Sequence, residues 1–477
     1  MQAKGSETMD FNSIKCSENW IKVEPLNKGW SNDKKFIAID NKNKKYVLRI
    51  SDASLYQKKQ EQFEFLIKIK SLKIKAPRPI EFGTLNDGSV YMVLSYIEGI
   101  DAESYIKTVD DESAYFLGIQ AGKMLKRIHN LTIYNKNETF YESFKNKIHR
   151  KIDILNQCEY KLEHKQLLID YIYSHMDILK DRTWCYTHGD FHLGNMIVSN
   201  GKISIIDFDK AKLSDPFDDF KPFCWNVNVS KYFQTGLIDG YFNNIIPKNF
   251  FDILSLFAAE QLISHIPWAF NFSKKEIETA INIYNKTMEW YNNFTLNIPL
   301  WYVDDAKYPC VNKLIDNQYE YTYIDHKRKI ARAILFNEKN EICLLKIYGD
   351  DDFGHRDYYE TPGGGVKDNE LISDAVLREI KEETGCEGII ISNLGLIDDY
   401  YNLIHRNNLN YYFLVKVTSF GKQALEETEK KIIKDLIWIN IDDAIYLYEN
   451  MNEEKLEILV KNRELPILLK AKELIKG

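Results

Sequence analysis

The sequence predicts an α+β protein made of more than one domain. Two observations carry this. The chain has 477 residues, and a domain typically takes about 100–200. Its texture also changes along its length: strand-like runs and turns fill residues 1–100, helical periodicity dominates 101–298, and strand-like runs return from 326 around one long amphipathic helix. Hydrophobic residues make up 44% and charged residues 28%, a globular balance with apolar material for more than one core.

Each region follows from its residues. "KKFIAID" and "KKYVLRI" flank the polar turn around Asn41–Asn43, which predicts a hairpin. "LYQKKQEQFEFLIKIKSL" then reads as a charged helix, and "APRPIEFG" with "SVYMVLSYIEG" as a proline-marked loop and further strands. In the middle region "YFLGIQAGKMLKRIHNL" has apolar residues at helical spacing, and "NMIV" and "ISIIDF" flank a turn at "SNG". The stretch 299–325 has no period and reads as a linker. Beyond it, "KIARAILF", "EICLLKIY", "NYYFLVKV" and "DLIWIN" read as strands. "ELISDAVLREIKEETG" reads as a helix stopped by Gly385, because glycine readily takes the left-handed turn of a helix end.

Charge and cysteine usage narrow the classes. A net charge of −7 argues against nucleic acid as a general partner, since that needs a clustered basic surface. The cysteines number seven and form no C-x-x-C pair, which fits a reducing cytoplasm better than a disulfide framework or a zinc site. Residues 1–10 are polar and lack an apolar signal core. No apolar run is long enough to span a bilayer. The expectation is a soluble cytoplasmic protein with no membrane partner.

The segment from Gly364 to Cys386 carries the sharpest chemistry. Residues three and four apart share a helix face, so Glu379, Glu382 and Glu383 are neighbours. Packed carboxylates repel unless a divalent cation sits among them, and hard oxygen donors suit Mg²⁺ or Mn²⁺. Such a cation grips a diphosphate and polarises phosphorus. The run Thr361–Gly365 permits tight turns close to a ligand. The spacing of Gly364, Glu370, Arg378, Glu379, Ile380, Glu382, Glu383 and Gly385 resembles the Nudix box, G-x5-E-x7-R-E-U-x-E-E-x-G-U, where U is a bulky apolar residue and Cys386 takes the last place. The resemblance to Nudix hydrolases covers residues 326–477 and implies an α/β/α fold. It implies that Glu379, Glu382 and Glu383 bind metal, that Glu370 and Arg378 support the loop and helix, and that the substrate is a nucleoside diphosphate linked to another group. Tyr358, Tyr359, Tyr400, Tyr401, His405 and Glu429 are the candidates for substrate choice, with Glu429 a candidate base.

A second constellation lies upstream. His188-Gly189-Asp190 is followed by Asn195 and, twelve residues later, by Asp207. Phosphoryl transfer needs a carboxylate beside the attacking hydroxyl and magnesium on the nucleotide phosphates. This H-x-D-x-x-x-x-N and D-F pair resembles aminoglycoside and small-molecule phosphotransferases, which share the two-lobed protein-kinase fold. The resemblance covers residues 15–298. It implies an N-lobe to about residue 100 and a helical C-lobe over 101–298, Asp190 as base or orienting carboxylate, and Asn195 and Asp207 on the metal. It also implies ATP or GTP as donor and a small-molecule hydroxyl as acceptor. Gly29, Ser31 and Asn32 would cover the phosphates, Arg49 would be the strand cation, and Glu61 its helix partner. Asp209, Asp215, Asp218 and Asp219 are open between structural and substrate roles. The sequence thus supports a bifunctional enzyme, or alternatively a Nudix hydrolase regulated by a non-catalytic kinase-like domain.

Overall fold

The computed structural model describes residues 11, 13–26, 33–133, 139–351, 354–453 and 455–476. It divides into two compact units, Met1–Val303 and Asp304–Gly477. Among the described residues, no helix is long and apolar enough to cross a membrane.

The first unit opens with strands β1 (Trp20–Pro25), β2 (Lys34–Asp40) and β3 (Lys45–Ser51), helix α1 (Tyr56–Ser71), and strands β4 (Pro79–Thr84) and β5 (Val90–Ser95). They form one antiparallel sheet in the order β1-β2-β3-β5-β4. The predicted hairpin is β2–β3, turned through Asn43 at φ 63°. Next come β6 (Ile100–Asp101), α2 (Ala102–Ile106), α3 (Asp111–His129), α4 (Phe140–Gln157) and α5 (Lys165–His175). The short strands β7 (Cys185–Thr187), β8 (Met196–Ser199), β9 (Lys202–Ile205) and β10 (Lys212–Ser214) carry the candidate catalytic segment. Helices α6 (Phe223–Val229), α7 (Lys231–Phe242), α8 (Phe250–Ala269) and α9 (Lys274–Trp290) complete the unit.

Helices α3 and α7 meet backbone to backbone. A methyl group on Gly122 of α3 would strike the carbonyl oxygen of Leu237, and one on Gly236 of α7 would strike that of Tyr115. Gly118 and Gly240 face backbone in the same way. Four glycines at helical spacing therefore let the two axes approach without side chains between them.

The second unit contains β11 (Cys310–Leu314), β12 (His326–Phe336), β13 (Glu341–Asp351), β14 (Gly354–Glu360), β15 (Gly363–Gly365), α10 (Ile372–Thr384), β16 (Cys386–Tyr401), β17 (Arg406–Phe420), α11 (Glu429–Ile432), β18 (Ile433–Asn440), α12 (Ile441–Glu449) and α13 (Lys455–Lys476). Its strands form one mixed sheet, β11-β16-β17-β12-β13-β14, with β15 paired to β12 and β18 to β13. Alternate residues of β12 and β17 enter two cores. Ala331, Ala333, Tyr411 and Phe413 pack with α10, whereas Ile334, Tyr412 and Leu414 pack with α12 and α13.

Two elements differ from the sequence reading. The stretch 299–325 is not a uniform connection: Trp301 and Tyr302 are buried in the first unit, while β11 runs parallel to β16. Asp304 also accepts from the N–H of Ile372 (2.6 Å), capping α10, whose own preceding residue Leu371 cannot. The 16-residue β16 has no clean two-residue period because its register shifts at three places, each of which turns the following side chains to the other face.

Candidate active sites

In the second unit the glycine strand and the acidic helix are fitted to one another. Gly363 lies at φ 151°, and its N–H donates to Glu383 Oε2 at 2.6 Å. A Cβ on Gly364 would lie 2.5 Å from the Glu379 carboxylate, so only glycine leaves room there. Arg378 ties the loop to the helix: its Nε and Nη2 donate to Glu370 at 2.8 and 2.9 Å, and Nη2 also reaches the Gly365 carbonyl oxygen at 2.9 Å. Its Nη1 donates to Glu379 (2.6 Å) and Glu382 (2.9 Å). Glu370 also accepts from the N–H of Lys367.

Glu379 and Glu383 are both buried, and each offers an oxygen within 4.8 Å of one from Glu429. Glu382 is half-buried and stands on Arg378 rather than in that trio. Burial pushes the Glu383 carboxyl well above its ordinary range despite the Gly363 N–H, and the charges of Glu379 and Glu429 push it further. Burial likewise raises Glu379; Arg378 opposes this, while Glu382 and Glu429 add to it. Three converging carboxylates, of which the buried Glu379 and Glu383 have raised proton affinity, fit a hard divalent cation, which would neutralise them. Glu429 starts the one-turn helix α11, and its carboxylate accepts from the N–H of Glu426.

The aromatic candidates are mostly structural. Tyr358 and Tyr401 lie in the core on the α12–α13 side, with Tyr401 accepting from Arg463. His405 stacks on Tyr323, with ring centroids 4.1 Å apart, and meets Thr322. Lys313 lies over the Tyr400 ring and Lys346 over Tyr359.

In the first unit Asp190, Asn195 and Asp207 are held on the loops around β8 and β9. Asn195 Nδ2 donates to the Asp190 carbonyl oxygen (2.9 Å) and to its carboxylate (3.2 Å). Lys210 Nζ donates to Asp190 Oδ2 at 3.0 Å. Burial works to raise the Asp190 carboxyl, but His192 and Lys210 outweigh it and hold the group well below its usual range. Asp207 sits at φ 62°, an uncommon conformation for a non-glycine residue. His188 is buried against the Ile206 carbonyl oxygen, a bracing role.

The residue with the largest part in shaping this loop is Asp219. Its carboxylate accepts from the N–H groups of His188 and Gly189, both at 2.7 Å, and meets His129 Nε2 at 3.0 Å. The other His129 nitrogen meets the Tyr241 hydroxyl at 2.9 Å. Helices α3 and α7 thus hold the candidate catalytic loop through His129, Tyr241 and Asp219. Asp215 is fully buried against Arg182, and the half-buried Asp218 pairs with Lys221, so these acids are structural.

Arg49 faces three acids: Asp33 (2.6 Å), Asp207 (3.5 Å) and Asp209, to which both terminal nitrogens donate. The expected partner Glu61 is a correction. It is exposed and accepts from Gln57. The α1 residues beside Arg49 are Lys59, which donates to Asp33 (2.7 Å), and Gln62, which donates to the Asp209 carbonyl oxygen (2.8 Å). A cavity of about 30 Å³ lies between Arg49, Gln62, Met92, Leu94, Asp207 and Asp209. Gly29, Ser31 and Asn32 lie outside the described residues.

Comparison with known proteins follows this division. The model of the phosphotransferase enzyme family matches residues 22–245, and that of the NUDIX domain matches residues 326–461. The chain is similar to an RNA pyrophosphohydrolase of Wolbachia sp. subsp. Brugia malayi (strain TRS), 27% identical over 135 residues, covering 25% of this chain and 80% of that protein. It is similar to diphosphoinositol polyphosphate phosphohydrolase 3-alpha of Mus musculus, 28% identical over 120 residues, covering 25% of this chain and 67% of that one. Similar solved structures include the gentamicin–APH(2")-IIa complex, 17% identical, covering 58% of this chain and 96% of that one with a TM-score of 0.43. Another is amicoumacin kinase hAmiN in complex with AMP-PNP, Ca²⁺ and Ami, 16% identical, covering 60% and 93% with a TM-score of 0.42.

Proposed function

The chain joins a domain of the phosphotransferase enzyme family to a NUDIX domain, and from that premise we propose that it is a bifunctional enzyme. One centre hydrolyses a nucleoside-diphosphate-type substrate. The other passes a phosphoryl group from ATP or GTP to a small-molecule hydroxyl. The convergence of Glu379, Glu383 and Glu429 beneath the glycine strand is the observation that carries the hydrolase half.

Glu379, Glu383 and Glu429 would hold Mg²⁺ or Mn²⁺, with Glu382 in reach of the same face. A bound divalent cation supplies charge neutralisation on the diphosphate and a more acidic water. The Gly363 N–H fixes one oxygen of Glu383, and Arg378 fixes Glu379 and Glu382. Helix α10 therefore presents its carboxylates already oriented. Glu379→Gln and Glu383→Gln are each expected to cut Mg²⁺-dependent hydrolysis of a nucleotide diphosphate by about 100-fold or more. Full activity in both variants sinks this reading.

In the transferase half, Asp190 orients the acceptor hydroxyl. Its low proton affinity suits late proton acceptance in a loose phosphoryl transfer, where the nucleophile keeps its proton until the bond to phosphorus is well formed. Asn195 and Asp207 would hold the nucleotide's metal. The test is ATP and GTP turnover against hydroxylated amines, sugars and amino alcohols. Asp190→Ala is expected to lower transfer by about 100-fold or more, and equal transfer contradicts the assignment.

One observation favours the alternative, a hydrolase regulated by a non-catalytic kinase-like domain. Arg49 is already engaged by Asp33, Asp207 and Asp209 rather than left facing a phosphate. On that reading, nucleotide changes hydrolysis while the acceptor panel shows no transfer.

A further inference from the structure

In the second unit, strands β13, β14 and β18 and helix α12 border a cavity of about 600 Å³. Small-molecule sites span about 300–1,000 Å³. Its apolar side is Ile437 and Ile439 of β18, which pack on the core shared with α12 and α13. Helix α10, which carries Glu379 and Glu383, packs into the other core. The cavity therefore lies across the central sheet from α10.

The strand wall already shows a chemistry that the cavity accommodates. Lys346 of β13 donates to Asp357 of β14, and its ammonium stands 4.8 Å from the centre of the Tyr359 ring. The Tyr448 hydroxyl donates to the Tyr359 carbonyl oxygen at 2.9 Å and ties that strand to α12. The helical wall offers a second ring and carboxylate. Asp443 and Tyr446 lie three residues apart on α12 and share one face, and Glu457 of α13 joins them at the cavity. Tyr446 is 67% exposed. Among the described residues, no hydrogen bond or ion pair engages the carboxylates of Asp443 and Glu457. The charged groups lining the cavity are thus three carboxylates, Asp357, Asp443 and Glu457, against the one ammonium of Lys346.

We propose that this cavity is a separate ligand site, for a small organic ammonium ion that carries an aromatic or apolar part. The ammonium would meet the Tyr446 ring and the carboxylates of Asp443 and Glu457, as Lys346 meets Tyr359 and Asp357. Ile437 and Ile439 would take the apolar part. The surplus of carboxylates turns away phosphates and other anions. A bare metal ion has a better place elsewhere: among the described residues, the acids that converge closely enough to share one are Glu379, Glu383 and Glu429. Binding here therefore needs no divalent cation and does not depend on the hydrolase reading.

Calorimetric titration of the full chain with benzyltrimethylammonium in EDTA tests this. The parent protein is expected to bind it with a Kd below about 1 mM. Benzyl alcohol, which has the ring without the charge, is expected to bind about ten-fold or more weakly. Tyr446→Ala trims an exposed side chain and is expected to weaken binding of the cation about five-fold, whereas Tyr446→Phe keeps the ring and the affinity. Asp443→Asn/Glu457→Gln is expected to weaken it about ten-fold. Lys346→Gln removes the competing ammonium and is expected to tighten binding about three-fold, a gain that a damaged fold cannot produce. Glu379→Gln, and Mg²⁺ at matched ionic strength, are expected to leave the isotherm unchanged. Absence of binding by the parent, equal binding of benzyl alcohol, or weaker binding by Lys346→Gln overturns the proposal. So does an affinity unmoved in both Tyr446→Ala and the double acid variant. Displacement of the cation by Mg²⁺ would make the cavity a metal site and overturn it too.

Discussion

At the residue scale, Asp190 and Asp219 divide the work of one loop. Asp190 has a depressed proton affinity, so its contribution to stability is complete above its ordinary value of 3.8 and is lost only as pH falls through the lower folded value. An acid limb in the transfer rate above about pH 5 therefore belongs to another group. A pH profile of kcat checks this; replacing His192 and Lys210 together is expected to move an Asp190 limb upward into view. Asp219 never meets substrate in this scheme, yet Asp219→Ala leaves two backbone N–H groups unmet at about 1–3 kcal/mol each. Its expected mark is a lower melting temperature together with lost transfer. Glu379 and Glu383 have the opposite sign from Asp190. Their raised affinities make the metal-free second unit more stable as pH falls from neutral towards those values, and less stable as it rises through them. Added Mg²⁺ is expected to flatten that dependence in thermal melts.

The acidic box was legible because its partners are three and four residues apart, so the helix alone makes them neighbours. The part of Asp219 was not, because the N–H groups it holds are about thirty residues upstream and only the fold brings them near. Glu61 illustrates a finer limit. Each helical step turns about 100°, so a reading one or two positions out of phase faces solvent while Lys59 and Gln62 face Arg49.

At the element scale, pairing and close approach matter more than composition. β12, β13, β17 and β18 were readable from their apolar runs. β16 was not, because its register shifts interrupt the alternation that marks a strand. β11 was hidden for a different reason: it is short, exposed along most of its length, and defined by its partner strand. The α3–α7 seam lends itself to a direct measurement. Gly122→Ala puts a methyl group into backbone of α7, and overpacking of this kind costs about 1–3 kcal/mol. Chemical denaturation should show the loss in the first unit. Transfer is expected to fall with it, because His129 and Tyr241 leave their places beside Asp219, while Mg²⁺-dependent hydrolysis persists.

At the scale of the whole molecule, the useful boundary is the one at Val303–Asp304, not the first obvious strand at residue 326. A fragment starting at 304 keeps β11 and the Asp304 carboxylate that caps α10. A fragment starting at 326 loses both. The longer fragment is expected to hydrolyse like the full chain, and the shorter one to melt earlier and bind Mg²⁺ more weakly, as calorimetry and metal titration can show.

The glycine seam also dictates an order of assembly. Gly122 and Leu237 meet across a loop of roughly 100 residues, and closing a loop of that length is slow and entropically unfavourable. Asp190, Asn195 and Asp207 all lie inside it. On the ribosome, where chain emerges at about 5–20 residues per second, the transferase loop cannot take its final shape until α7 has been made. A nascent chain arrested before residue 231 would carry Asp190, Asn195 and Asp207 and still lack the helix that closes the seam around their loop.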